Sequence, residues 1–264
     1  MQDLTVTLIQ SNLHWENSVA NLAMFEEKIW KIGNSTEVIV LPEMFSTGFS
    51  MNAKANAEVM NLRTTKWMSQ MADQTGALIL GSFIANDQGK FFNRLIWMEP
   101  GGKFKTYDKR HLFRMAEEHK TYASGESKLI ANWKGWNICP LVCYDLRFPV
   151  WSRNHWNAVE QRSAYDVLIY VANWPEARVT AWDTLLKARA IENLSYVVGL
   201  NRTGTDGLGI PYNGHSVVIG PKGETIFSAG ESEIIQTISL MAQPLIDYRK
   251  KFPAYLDADD FNIV

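Results

Sequence analysis

The sequence predicts an α/β fold built from two similar halves. Short runs rich in Val, Ile and Leu alternate with stretches of helical period, the pattern of strands buried under helices. Two hairpin turns, IWMEPGGKFKTY and SVVIGPKGETIF, share one pattern, and each closes a half. No linker or low-complexity segment separates the halves, so the chain reads as one domain over 1–240 followed by a tail over 241–264. Two sheets covered by helices account for that length.

Residues 4–9 (LTVTLI) alternate as a strand does. A helix follows, with Val19, Leu22, Phe25, Ile29 and Ile32 on one stripe and Gly33-Asn34 as its stop. Val38 to Leu41 is an unbroken apolar run closed by Pro42, as in a strand buried on both faces. Trp67, Met68 and Met71 mark a second helix ending near Gly76, and 78–85 is the next strand. Segments 91–98 and 104–108 flank Pro100-Gly101-Gly102 as a hairpin. In the second half, Ile138 to Val142 is a strand, with a helix expected from about Pro149. Asp166 to Ala172 is another strand, and Thr180 with Asp183 resembles a capping box for a helix carrying Trp182, Leu185, Leu186 and Ala190. Tyr196 to Leu200 is strand-like, and 215–220 and 223–228 flank Pro221-Lys222-Gly223. In the tail, Pro244, Tyr248, Phe252 and Tyr255 sit among charges without clear periodicity.

Composition narrows the function. Lys and Arg number 26 against 28 Asp and Glu, so the chain lacks the basic excess of a phosphate-binding surface, and nucleic acid is not an expected partner. Two cysteines exclude a disulfide scaffold and a four-cysteine zinc site. The start, MQDLTVTLIQ, does not read as a secretory leader, and no apolar run approaches the ~18 residues of a membrane span. A reduced, cytoplasmic protein without membrane attachment is the expectation. Ten Trp and ten Met fit core filling.

The five histidines are scattered without metal-ligand spacing, and no metal is expected. TGTDGLG (203–209) follows a strand without opening a helix and reads as a surface loop. Cys143 ends the run ICPLV where a strand meets a turn, and backbone N–H groups there would favour its thiolate. The plainer alternative is a buried structural cysteine, which is the reading for Cys139. Glu43 sits just past a buried strand, hemmed by Pro42, Met44 and Phe45. Partial desolvation there would suit it to proton transfer, although loop acids are more often simply exposed. Lys109 closes the first hairpin and, taken alone, is equally a solvated lysine.

Together these residues spell a pattern. LPEMF around Glu43, YDKRHLF around Lys109 and VCYDLRFP around Cys143 resemble, in order and spacing, the Glu, Lys and Cys blocks of the nitrilase superfamily of carbon–nitrogen hydrolases. KARAIEN (187–193), YVVGLNRTG (196–204) and PKGE (221–224) fit as well, and the likeness runs from about residue 4 to residue 230. A further family position, a second Glu before a Gly, matches Glu118 upstream of Gly125, with Glu117 adjacent. The resemblance implies a four-layer αββα sandwich that pairs as a homodimer, to which the tail would contribute an arm or else fold on its own subunit. It also implies cleavage of a small-molecule amide through a thioester, without metal or organic cofactor. Cys143 would be the nucleophile and Glu43 the base. Lys109 and the Tyr144 N–H would hold the oxyanion, and Glu118 would orient Lys109 or Glu43.

Tyr144-Asp145 stands where nitrile-hydrolysing members carry Trp-Glu, and this with NWPEAR (173–178) resembles the omega-amidase branch. That branch hydrolyses the terminal amide of 2-oxo-dicarboxylate monoamides such as 2-oxoglutaramate and 2-oxosuccinamate. Arg147 is then the candidate for the substrate carboxylate, with a structural pair to Asp145 as the alternative. Phe45 and Trp174 would wall the pocket, or simply pack in the core. An N-carbamoyl amino acid amidase, a deaminated-glutathione amidase and a non-catalytic binding member are the competing readings.

Overall fold

Residues 38–41 are all buried, yet neighbours face opposite ways. Val38 and Val40 join one apolar cluster, while Ile39 and Leu41 join another. A strand with period two that is apolar on both faces must be covered on both. That requirement sets the layers of the computed structural model, which describes residues 1–33 and 36–259.

In the first half, β1 (Leu4–Gln10), β2 (Val38–Val40) and β3 (Leu78–Asp87) are parallel neighbours. The hairpin of β4 (Lys90–Met98) and β5 (Phe104–Asp108) extends the sheet from β3. The second half has β6 (Ala131–Trp133) and β7 (Trp136–Val142), then β8 (Val167–Ala172) and β9 (Tyr196–Asn201). Here β7, β8 and β9 are parallel, and a hairpin of β10 (Val217–Ile219) and β11 (Thr225–Ser228) extends from β9. Finally β12 (Ile234–Leu240), a strand the sequence patterning leaves unassigned, returns to the first sheet antiparallel to β1. Two six-stranded sheets result, ordered β12-β1-β2-β3-β4-β5 and β11-β10-β9-β8-β7-β6. The expected repeat of a hairpin in each half is present, and each half also has three parallel strands.

The sheets share one core. Val6, Leu8, Val38, Leu80 and Trp97 of the first cluster with Leu141, Leu168, Tyr170 and Val198 of the second. The outer face of the first sheet is covered by α1 (Ser18–Trp30) and α2 (Arg63–Thr75), through Leu22, Phe25, Ile29, Trp67, Met68 and Met71. On the second sheet α3 (Val179–Asn193) lays down Trp182, Leu186 and Ala190. This is the αββα sandwich.

Local differences from the sequence reading have physical causes. Val19, placed on the α1 stripe, is exposed, because the helix is capped by Asn17 and Val19 falls in its solvent-facing first turn. Helix α1 ends at Trp30, and Asn34 of the expected stop lies outside the described residues. Gly76 does end α2, in the left-handed conformation. The helix expected from Pro149 is one turn, Pro149–Ser152. The Thr180–Asp183 box does not form: α3 is preceded by Arg178 without a side-chain cap, and Asp183 faces His215 instead, 3.2 Å away.

The tail folds on its own subunit as α4 (Ala242–Lys251). Only Ala242 and Leu245 of α4 are buried, which is too few to create a visible apolar stripe. Polar anchors add to them. Arg249 donates to the carbonyls of Leu194 and Tyr165 and pairs with Asp166 at 2.6 Å, and Tyr255 stacks on Trp156. Leu245→Ala is expected to lower the unfolding free energy by about 2–5 kcal/mol. Denaturant unfolding followed by circular dichroism measures it, and a negligible loss would mean that α4 does not belong to the core.

Candidate active site

Four chain segments converge at one end of the sandwich. The turn after β2 is laced to β3, since Ser82 Oγ accepts from the Met44 N–H at 2.8 Å and Ser82 O accepts from the Phe45 N–H. Met44 takes a left-handed φ of 42° there, and Glu43 points inward, fully buried. Lys109 follows β5, and Glu118 opens the single turn Glu118–Thr121. Gly125 permits the approach of the returning chain: a Cβ at that position would lie 2.0 Å from the Asp108 carbonyl oxygen. Cys143 ends β7 with φ 44°, a strained value for a residue with a side chain.

The ammonium of Lys109 lies between two carboxylates. It donates to Glu43 at 2.9 Å and to both oxygens of Glu118 at 3.1 and 3.0 Å, and all three side chains are at most 1% exposed. Burial works against its charge, but Glu118 and Glu43 outweigh it and hold the amine well above the usual lysine range. Burial pushes the Glu118 carboxyl up, with Lys109 opposing and Glu43 adding. Glu117, its neighbour, is exposed and pairs with Lys120, so the buried role falls to Glu118.

The charge of the Glu43 carboxylate acts on the Cys143 thiol, and that thiol approaches the Asn173 carbonyl at 3.8 Å. The expected thiolate is not what the surroundings favour. Burial, then the charge of Glu43, push the thiol well above its ordinary value, and Lys109 does not compensate. The turn behind Cys143 is five residues of 3₁₀ helix, too short to supply a dipole that reverses this. Cys139, buried inside β7, is likewise pushed up to about 12 by burial.

Two asparagines that sequence reasoning missed complete the cluster. Asn93 of β4 donates to Glu43 at 2.8 Å and to Glu118 at 3.3 Å, while accepting from Ser82. The backbone N–H of Asn173 donates to the other Glu43 oxygen at 2.8 Å, and its side-chain amide to the Glu43 carbonyl. A polar Asn inside the apolar run of β4 was the available signal for the first. The second lies in the NWPEAR block.

Above this cluster opens a cavity of about 260 Å³. Of the predicted residues, Lys109, Cys143, Tyr144, Arg147 and Trp174 line it, and Glu43 and Glu118 lie directly behind Lys109. Phe45 does not: it is fully buried against Phe25 and Trp67 in the outer core, and Phe49 lines the cavity in its place. Arg147 forms no pair with Asp145. That carboxylate accepts instead from Tyr107, Val142 and His111, and Arg147 lies over the Trp174 ring, 5.1 Å from its centre. The segment TGTDGLG is more than a surface loop. Thr203–Thr205 pairs with Pro211–Asn213, and the tip between them lines the cavity with Asp206, Leu208 and Ile210.

The arrangement places a thiol, a buried carboxylate and a buried ammonium beside one cavity. Comparison with known proteins identifies the family. The carbon–nitrogen hydrolase family profile matches residues 5–247. The chain is 47% identical to the omega-amidase YafV of Escherichia coli over the full length of both. It is 29% identical to a 2-oxoglutaramate amidase of Bacillus subtilis over 96% of each chain. The solved structure of a superfamily protein from Xanthomonas campestris, with an arsenic adduct in its active site, superposes over the whole of both chains with a TM-score of 0.98 at 41% identity. Nit3 of Saccharomyces cerevisiae, a nitrilase-superfamily member, gives 0.83 at 25% identity over 96% of this chain and 95% of its own. The chain therefore belongs to the carbon–nitrogen hydrolase family of the nitrilase superfamily and is a hydrolase of carbon–nitrogen bonds.

Proposed function

We propose that the protein is an omega-amidase that converts 2-oxo-dicarboxylate monoamides, 2-oxoglutaramate and 2-oxosuccinamate among them, to the dicarboxylate and ammonia. The observation that carries this reading is the meeting of Glu43, Lys109 and Cys143 at the floor of a cavity whose lining also includes an unpaired guanidinium, Arg147. The similarity to omega-amidases supports it.

The chemistry follows from the contacts. Because burial and the charge of Glu43 push the thiol above its ordinary range, attack requires that Glu43 take the proton as sulfur bonds to the amide carbon. Lysine has three N–H donors. Glu43 and the two oxygens of Glu118 engage them in the resting site, so the developing oxyanion takes one N–H in place of a Glu118 oxygen, alongside the Tyr144 N–H. One preorganised donor of this kind typically lowers the barrier by about 3–4 kcal/mol. Glu43 then returns the proton to the amide nitrogen, the C–N bond breaks and ammonia leaves. A water deprotonated by Glu43 opens the thioester, and the proton returns to sulfur as the acid departs. Glu118 and Asn93 orient Lys109 and Glu43 throughout.

A cytoplasmic location and pairing as a homodimer belong to the same reading, and the family resemblance supports both. The exposed Ile246 and Phe252, in and just beyond α4, are the tail residues we assign to the contact. Sedimentation equilibrium is expected to return twice the chain mass of 30.0 kDa, and a monomer at micromolar concentration would refute the pairing.

Purified protein with 2-oxoglutaramate is expected to release ammonia. Cys143→Ala should abolish release, and Glu43→Gln and Lys109→Ala should each lower kcat about 10²- to 10⁴-fold. Turnover that survives Cys143→Ala would remove the mechanism, and carbon dioxide released from an N-carbamoyl amino acid would redirect the substrate. In the free enzyme, modification of Cys143 by methyl methanethiosulfonate is expected to be slower at pH 8 than that of free cysteine. Its rate should keep rising through pH 10, because the thiol titrates above its ordinary range. A plateau below pH 7, read by mass spectrometry of the Cys143 peptide, would restore the thiolate.

A further inference from the structure

The cavity lining carries a second guanidinium that the sequence reading did not use. Arg178 follows the NWPE turn and precedes α3. Like Arg147, it forms no ion pair with any carboxylate among the described residues. Its guanidinium lies over the Phe113 ring, 5.3 Å from the centre, and touches the Met115 thioether. Phe113 in turn meets Tyr144 edge-on, and the Trp174 indole donates to the Arg178 carbonyl. Both arginines are therefore held by aromatic side chains of the same cavity lining, which orient a guanidinium without neutralising it.

The acidic group on the lining is already engaged. One oxygen of Asp206 accepts from the N–H groups of Leu208 and Ile210 at 2.8 and 3.0 Å, and the other from the Tyr212 hydroxyl at 3.0 Å. Its carboxylate thus closes its own loop and offers little to a ligand. At the floor the charge is opposite, since two carboxylates surround one ammonium.

We propose that Arg178 is a second anion-recognising residue and that, with Arg147, it selects 2-oxo acids over 2-amino acids by charge. The inference rests on the omega-amidase reading for the identity of the amide, but the charge argument is independent of chain length. A substrate with a carboxylate at one end and a neutral amide at the other is drawn in amide first. One guanidinium takes the carboxylate, and the other takes the adjacent 2-oxo oxygen or the second carboxylate oxygen. Glutamine places an ammonium group beside its carboxylate. That group meets two cations beside an Asp206 carboxylate already engaged by its own loop, so binding loses both the attraction and part of the solvation of the ammonium.

The test compares wild type, Arg178→Gln and Arg178→Lys on three amides: 2-oxoglutaramate, glutamine and the uncharged pentanamide. Arg178→Gln is expected to raise KM for 2-oxoglutaramate about tenfold or more with a much smaller change in kcat. The loss should exceed that on pentanamide by the same factor, narrow the preference over glutamine, and be partly recovered by Arg178→Lys. Equal losses on charged and uncharged amides, or an unchanged KM, would overturn the proposal. A second measurement separates it from the reading it rests on. Titration of 2-oxoglutarate into the Cys143→Ala protein, with and without Arg178→Gln, should show at least tenfold weaker binding in the double variant. If that loss is seen while wild type fails to hydrolyse 2-oxoglutaramate, the substrate assignment falls and the charge selection stands. If wild type turns over but binding is unaltered, the charge selection falls alone.

Discussion

The structure depends on keeping one ammonium group charged where the fold has removed it almost wholly from solvent. Lys109 is removed from solvent by the end of the sandwich, a position that would ordinarily discharge a lysine. Two carboxylates prevent this, and neither could be buried so deeply without the lysine. Each charge comes from a different segment: the turn after β2, the end of β5, and the one-turn helix that follows it. The three segments are bound to one another by the energetic penalty of leaving any one charge unpaired. Asn93, from the middle of β4, adds neutral donors to both acids and so ties the cluster to the strand behind it.

Cys143 is held by a different kind of constraint. Its backbone conformation is strained, a state that requires support from outside the residue. The support is Asp145, fully buried two positions on. Its carboxylate accepts from the N–H of Val142 before the cysteine, from His111 beyond β5 and from Tyr107 within β5. The turn that carries the thiol is thereby fastened to the hairpin whose end carries Lys109. Sulfur and ammonium share a framework of hydrogen bonds, although they lie on different sheets.

The walls follow a looser logic than the floor. Glu43, Lys109 and Glu118 are each fixed by two or more hydrogen bonds, whereas the cavity lining is largely aromatic rings, methionines and the tip of one polar loop. Asp206 spends its carboxylate on shaping that tip, which brings Leu208 and Ile210 to the lining. Floors of this kind preserve a reaction, and walls of this kind adjust what enters.

This contrast explains what could be read from the sequence and what could not. The halves, the buried strands and the two hairpins were legible because buried strands and glycine-bearing turns leave periodic marks. Helix α4 was not, since Ala242 and Leu245 alone reach the core and Arg249 holds the rest through polar contacts. Glu43, Lys109 and Cys143 were legible as blocks, each flanked by residues that the local geometry demands. Phe45 was misplaced because adjacency to Glu43 does not determine direction: the left-handed residue between them turns Glu43 to the cavity floor and Phe45 to the opposite side of the sheet. Arg178 could not be assigned, and Asn93 was marked only by its polarity within β4. The role of each arises from a ring or an acid far away in the chain, and such proximity exists only after folding.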